Sequence, residues 1–425
     1  MRKYFTGLLL LPAIFLGQAI QQKEAFSTLN YARDITETLC SREYEGRGYV
    51  NNGCHKAGTF ILDEFKRLNL KPFQGAYEQS FSFDVNTFPK ACRLIQGLHT
   101  LRPGIDFIVH PNSSGYHGVL HLQKMSASQI MNYRFSKATP SNSAIVFAPE
   151  KGFPKDSLKL VKSKLEKIAQ TDRPVVEVTR EKLTWSVAEQ AFKFPYLQWY
   201  DTVQKSTPKK LRVKVDAAIL SQYKVQNCFG FVPSINPSDS LIVVSAHYDH
   251  LGKMGKKTMF PGANDNASGV AMLLSLAREI HEKPLHNHSV LFVAFAGEEI
   301  GLKGSFAFVE SAIIDLTKIS MVLNLDILGS GEEGITVVNG SVFPMFYQRL
   351  VELNKSIPAV PVVKSRGKAA NSDHYPFSEK GVPSLFVYTM GPNKNYHDIH
   401  DKYENLSFDR FESLHYLFLR FLNGF

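Results

Sequence analysis

The chain has 425 residues, 44% of them hydrophobic and 21% charged. These proportions exclude a disordered or fibrous chain, and the length suits one large catalytic unit plus an accessory lobe. The net charge is +10. Its Lys and Arg residues are spread out, apart from runs at 205–214 and 253–257, which reads as a solvated basic surface and not as a nucleic-acid interface.

Arg2 and Lys3 lead into a mostly apolar run at 5–16, followed by Gly17-Gln18-Ala19. That is the pattern of a secretory signal peptide cleaved near Ala19. The run is shorter than the roughly 20 residues that span a bilayer, and no later segment is longer. No cysteine follows it to carry a lipid. The expectation is an exported, periplasmic or extracellular protein without stable membrane insertion. Cys40, Cys54, Cys92 and Cys228 are even in number, and export permits disulfides. Cys40 and Cys54 flank a turn-rich segment and can pair or remain buried thiols; the sequence leaves both open.

Between 26 and 70, apolar residues recur at three and four spacing through Ala57, Phe60, Ile61, Phe65 and Leu68, predicting helices that cover a core built later. Residues 77–83 alternate as a strand does. From 92 to 220 come short strand-like runs at 118–122, 143–147 and 174–178, with a helix at 156–168. This block has no cluster of His and acidic residues and reads as an inserted, β-rich accessory lobe. Beyond 220, apolar strands at 241–246, 289–295, 319–325 and 384–388 alternate with amphipathic helices. One helix places Val270, Leu273, Leu274, Ala277 and Ile280 on a single face. The pattern predicts an α/β fold, a mostly parallel mixed sheet with helices on both faces, whose ligands bind beyond the carboxyl ends of strands. The expected organisation is a signal peptide (1–19), an N-terminal helical segment (20–91), the lobe (92–221) and a catalytic domain (222–425), closed by a helix at 408–422.

Three of the four strands lead into a candidate metal ligand. His247 follows the first in His-Tyr-Asp-His, Glu298 and Glu299 follow the second, and Asp326 closes the third. The fourth precedes a loop bearing Tyr396-His397-Asp398. Asp265 lies in Gly262-Ala-Asn-Asp-Asn-Ala-Ser-Gly269, a turn entering a helix. Two imidazoles and three carboxylates suit zinc, with cobalt or manganese as substitutes. Five protein ligands are too many for one open catalytic zinc and fit two metals sharing a carboxylate. Neighbouring Glu298 and Glu299 point apart in an extended segment, so one can bind metal while the other moves protons on the metal-bound water. Asp249 is placed to hydrogen-bond the His247 ring and fix its tautomer.

These motifs, with Gly297-Glu-Glu-Ile-Gly-Leu-Lys-Gly-Ser305 and Ser372-Asp-His374, make residues 222–425 resemble the catalytic domain of M28 zinc aminopeptidases. The resemblance implies that His247 and Asp326 hold one zinc, Glu299 and His397 the other, and that Asp265 bridges. It further implies Glu298 as general base, Asp249 behind His247, and Tyr396 as a hydrogen-bond donor to the oxyanion. The lobe resembles the protease-associated domain of some members, without its more typical Gly-Ala-rich turn. The implied activity is release of the N-terminal residue from peptides by a metal-bound hydroxide. With one helix after His397 and no helical dimerisation domain, a monomer is expected. Three other readings compete. A carboxypeptidase or dipeptidase would grip a free carboxylate through Lys364, Arg366 or Lys368. A glutaminyl cyclase, which lacks the first His ligand, is opposed by His247. A binding relative that has lost its site is opposed by the full ligand set.

Overall fold

The computed structural model describes residues 27–135, 142–201 and 208–425. The signal-peptide reading falls outside the described residues. Helices α1 (Thr28–Cys40) and α2 (Gly53–Arg67) come first. The Ser27 hydroxyl caps α1 by accepting the Asn30 N–H at 3.1 Å, and α2 buries Ala57, Ile61 and Phe65 on one face, as their spacing requires.

The main sheet has eight strands: β1 (Glu78–Thr87), β2 (Ala218–Val232), β3 (Leu241–His247), β4 (Ser289–Phe295), β5 (Ile319–Leu325), β6 (Gly334–Val338), β7 (Val363–Ser365) and β8 (Ser384–Met390). Their order is β1-β2-β4-β3-β5-β8-β6-β7. The centre is parallel, with β3 between β4 and β5, and β5 beside β8. Antiparallel pairs β1–β2, β2–β4 and β6–β8 flank it.

All seven residues of β3 and all seven of β4 are buried, which requires cover on both faces. Side chains alternate between two cores. Ile242, Val244, Val290 and Phe292 pack under α1, α2, α3 (Ser268–Glu282) and α7 (Phe411–Leu422). Val243, Leu291 and Val293 face α4 (Lys303–Val309) and α6 (His374–Glu379) through Phe308 and Phe377. Helix α5 (Pro344–Ser356) lies beside α7. The fold is therefore the mixed α/β sheet with helices on both faces that the pattern predicted.

Two features differ from the sequence reading. The N-terminal segment does more than cover a core, because the strand read at 77–83 is β1, which pairs with β2 and extends the main sheet. Strand β2 runs for 15 residues from Ala218, and its first half, up to Lys224, mixes apolar with polar residues and has none buried, so it carries no buried-strand signature. A second eight-stranded sheet is drawn from residues 92–215, with the helix Lys155–Thr171 packing Leu165 and Ile168 on Ile145 and Val175. Phe88, Val109 and Trp185 share a core with Leu251, Met254 and Phe260 of the segment after β3, which ties the two sheets together. All four cysteines are free thiols, which settles the pairing left open above. Burial pushes the Cys40 thiol up to about 12. Among the described residues no helix is long and apolar enough to cross a membrane.

Candidate metal centre

The carboxyl ends of the central strands bring the five predicted ligands together. His247 is the last residue of β3 and Asp326 follows β5 directly, while Glu298 and Glu299 sit three and four residues beyond β4. Asp265 comes from the turn before α3, whose Asp265–Asn266 peptide is cis. His397 reaches in from the loop after β8.

Asp265 stands between two sets of groups. Its Oδ1 lies 3.3 Å from His247 Nε2, which also lies 3.3 Å from Asp326 Oδ1. Its Oδ2 lies 3.2 Å from His397 Nε2, which in turn is 3.0 Å from Glu299 Oε2. Ligand atoms 2.0–2.1 Å from a tetrahedral zinc stand about 3.3 Å apart. These spacings match that edge length. A hydrogen-bond chain aims Asp326: the Ser245 hydroxyl donates to Asn324 Oδ1 (2.8 Å), Asn324 Nδ2 to Ser372 Oγ (2.7 Å), and Ser372 Oγ to Asp326 Oδ2 (2.9 Å). Asp326 Oδ1 is left buried without a hydrogen-bond partner, as a carboxylate oxygen kept for a cation would be.

Charge is concentrated here. Burial opposes ionisation of His247, yet the Asp326 and Glu298 carboxylates hold its pKa well above the usual imidazole range. His397 likewise rises to about 11 against its burial, chiefly through Glu299. Burial would raise Glu299, but His397 and His250 bring it down to about 2. Glu298 behaves in the opposite way. Burial, then the charges of Glu299, Asp373 and Asp326, push it well above the carboxylate range despite His247. Its Oε2 is 4.0 Å from His247 Nε2. Two adjacent carboxyls thus have environments that drive their affinities for a proton apart.

Asp249 departs from its expected role. His247 Nδ1 faces the backbone carbonyl of Asp249 at 3.2 Å, whereas the carboxylate is 3.9 Å from that nitrogen. That carboxylate instead accepts from Tyr49 Oη (2.8 Å) and from the backbone N–H groups of Glu298 (3.1 Å) and Glu299 (3.4 Å). It holds the turn that carries both glutamates. The reason is the bend after β3, which turns the carboxylate toward β4 and away from the ring. Tyr396 is 53% exposed, its ring stacked on His397 at 3.8 Å. Lys364, Arg366 and Lys368 are all exposed, and Lys368 pairs with Glu379.

Four supporting residues escaped the sequence reading. His250, the second imidazole of His-Tyr-Asp-His, places Nδ1 2.6 Å from Glu299 Oε1. Among the described residues, two sets of three have ligand atoms close enough to share an ion, His247, Asp265 and Asp326, and His250, Asp265 and Glu299, so that His250 stands with His397 as an imidazole beside Glu299. Both sets contain Asp265. Asp401 accepts the backbone N–H groups of Asn264 (2.9 Å) and Asp265 (3.0 Å) and fixes the bridging loop. Tyr49 holds Asp249. Arg47, 0% exposed, uses all five guanidinium donors on backbone carbonyls: Tyr248 (2.9 Å), Leu39 (3.2 Å), Pro261 (2.7 Å), Gly262 (2.6 Å) and Asp265 (3.2 Å). It enters because Gly46 and Gly48 flank it. A Cβ at Gly46 would stand 2.4 Å from Phe260 O, and one at Gly48 2.3 Å from Gly252 Cα. The N-terminal segment, expected only to cover a core, therefore fastens the His247 and Asp265 loops.

Residues 227–422 match the model of Peptidase family M28. That match takes in His247, Asp265, Glu298, Glu299, Asp326 and His397. The chain is 30% identical over 202 residues to a probable leucine aminopeptidase of Arthroderma otae, covering 44% of this chain and 54% of that protein. It is 27% identical over 220 residues to aminopeptidase YwaD of Bacillus subtilis, 50% of this chain and 46% of that protein. It thus spans about half the length of the curated relatives it matches. Outside the residues that match the family model the likeness is one of fold. A peptidase M28 precursor from Shewanella amazonensis superposes with a TM-score of 0.70 at 14% identity, over 96% of this chain and 95% of that one. BSAP, a zinc aminopeptidase from Bacillus subtilis, does so at 0.68 and 19%, over 93% and 94%.

Proposed function

We propose that this protein is an exported two-zinc aminopeptidase that removes N-terminal residues from peptides. His247 and Asp326 would hold one zinc, Glu299 and His397 the other, and Asp265 would bridge. The observation that carries this reading is that the two oxygens of Asp265 face separate imidazole–carboxylate sets at zinc-like spacing. The M28 match supports the chemistry. Bound there, zinc supplies Lewis acidity: it polarises the scissile carbonyl and brings a water pKa toward neutrality.

The chain's own groups do the rest. Glu298 takes a proton from the attacking water at its carboxylate and returns it to the leaving amine, a role suited to a carboxyl whose surroundings favour protonation. Asp249 holds the turn so that Glu298 and Glu299 diverge. Tyr396, exposed beside His397, donates its O–H to the oxyanion. The excess of carboxylates favours a substrate ammonium. A carboxypeptidase would need a free cation facing the site, and Lys364, Arg366 and Lys368 point to solvent or to Glu379. The presence of His247 speaks against a glutaminyl cyclase, and the complete ligand set against a binding-only relative.

The test is hydrolysis of aminoacyl chromogenic amides beside N-acetylated and C-terminal counterparts, with zinc quantified on the same preparation. Cleavage only with a free α-amine, and about two zincs per chain, is the expected result. Cleavage solely from the carboxyl end, or absence of both turnover and zinc, overturns the proposal.

A further inference from the structure

The loop that carries His397 has hydrogen bonds of its own, among them Asn395 O accepting the Asp398 N–H at 3.2 Å and Asp398 Oδ1 accepting the His400 N–H at 2.6 Å, and it is also held from outside. His397 has φ 57°, a left-handed conformation that side chains other than glycine adopt only when their surroundings impose it. The surroundings here come from the second sheet's segment at 182–189, far away in sequence. Lys182 Nζ pairs with Asp398 Oδ2 at 2.7 Å and donates to the backbone carbonyl of Tyr396 at 2.9 Å and to that of Lys394. Three residues on, the Trp185 backbone N–H donates to the carbonyl of His397 itself at 2.9 Å. One ammonium and one amide thus hold the residues before, at and after the imidazole.

The segment making these contacts is firmly seated. The Trp185 indole is buried, donates to Val109 O at 2.9 Å, and lies against Phe260 with ring centres 4.7 Å apart. Farther along, Ala188 O accepts the Asn86 N–H at 2.8 Å and Glu189 pairs with Lys303 at 2.6 Å. Lys182 is therefore a fixed point for the His397 loop. The Lys182 side chain is 39% exposed and that of Asp398 8%, so the pair works more by geometry, three acceptors converging on one cation, than by surface electrostatics.

We infer that Lys182 is a positioning residue that sets His397 for metal binding, and that the accessory sheet's contribution to the site is this clasp. The inference rests on the reading of His397 as a zinc ligand. It assigns the lobe a part in assembling the metal centre.

The experiment measures zinc affinity by chelator competition and kcat and KM on a small aminoacyl amide, in the full-length protein and its Lys182→Met, Lys182→Arg, Asp398→Asn and Glu189→Gln variants. Groups that orient metal ligands are worth about 10–100-fold in affinity. Lys182→Met is expected to weaken the more labile zinc by that factor and lower kcat with KM nearly unchanged, and Lys182→Arg to recover much of the loss. Asp398→Asn should fall between. Glu189→Gln loosens the same segment away from the His397 loop and should bind zinc as the parent does. Affinity in Lys182→Met within twofold of the parent overturns the inference, and so does an equal loss in Glu189→Gln, which would make general docking the cause. If Lys182→Met does not fold, Asp398→Asn decides: unchanged affinity there overturns the clasp. Failure of the parent to bind zinc, or full zinc content in His397→Ala, would instead overturn the ligand assignment beneath it.

Discussion

Arg47→Met tests the claim that the N-terminal segment fastens the site. Methionine keeps much of the side-chain length but offers no donor, so the carbonyls of Leu39, Tyr248, Pro261 and Asp265 lose their partner and that of Gly262 keeps only the Ala267 N–H. A buried acceptor without a partner costs about 2 kcal/mol. Relaxation, water entry and relief from burying an unpaired guanidinium recover about half of the total, which leaves a loss of about 4 kcal/mol for the four stranded carbonyls. Against a native stability of about 5–15 kcal/mol that is a large share. At about 2–4 °C per kcal/mol for a domain of this size, the melting temperature should fall by about 8 °C or more. The assay is thermal unfolding followed by intrinsic fluorescence, with and without zinc. Because Gly262 and Asp265 belong to the bridging loop, added zinc should raise the melting temperature less in the variant than in the parent. Arg47→Lys has three donors for five acceptors and should fall between. A Met variant melting within about 3 °C of the parent would refute the reasoning.

Glu298→Ala should retain both zincs while kcat falls about 10²–10⁴-fold, the scale of a lost general base; elemental analysis and steady-state kinetics on one preparation check it, and metal loss there would mean the roles are misassigned. Glu299→Ala should lower zinc content, and full occupancy counts against the ligand scheme. His415, buried on α7 near Ser275, Glu279 and Arg278, is held by burial at about 4. A folded value below the unfolded one of about 6.5 means its contribution is complete above that pH and is lost as pH falls toward 4. The loss amounts to about 2 kcal/mol between pH 7 and 5. His415→Leu should therefore lose less stability than the parent over that interval in urea titrations, and parallel losses would refute it.

Much of the site could be read from the sequence because its ligands follow strands. His247, Asp326 and the Glu298–Glu299 pair stand at or just past runs of buried β-branched and apolar residues, and a parallel sheet brings such ends to one edge. The glycines around Asp265 marked a turn before an amphipathic helix. The long strand Ala218–Val232 was illegible over its first half, since Ser221-Gln222-Tyr223-Lys224 is polar and pairs only at an exposed edge.

Hydrophobic periodicity and ligand spacing, which are local properties of the chain, determined the α/β class and pointed to the five candidate ligands and to separate roles for the two glutamates. Tertiary structure alone decided what holds them. Arg47 lies 218 residues from the Asp265 carbonyl it binds, and Lys182 lies 216 from Asp398. An isolated Arg or Lys in sequence reads as solvated surface, and only the carbonyls and carboxylates that the fold brings around it turn it into a structural cation. The Asp249 carboxylate turned toward β4 for the same reason: a side chain's partner is set by the bend of the backbone and the elements that pack against it, which spacing along the chain does not encode.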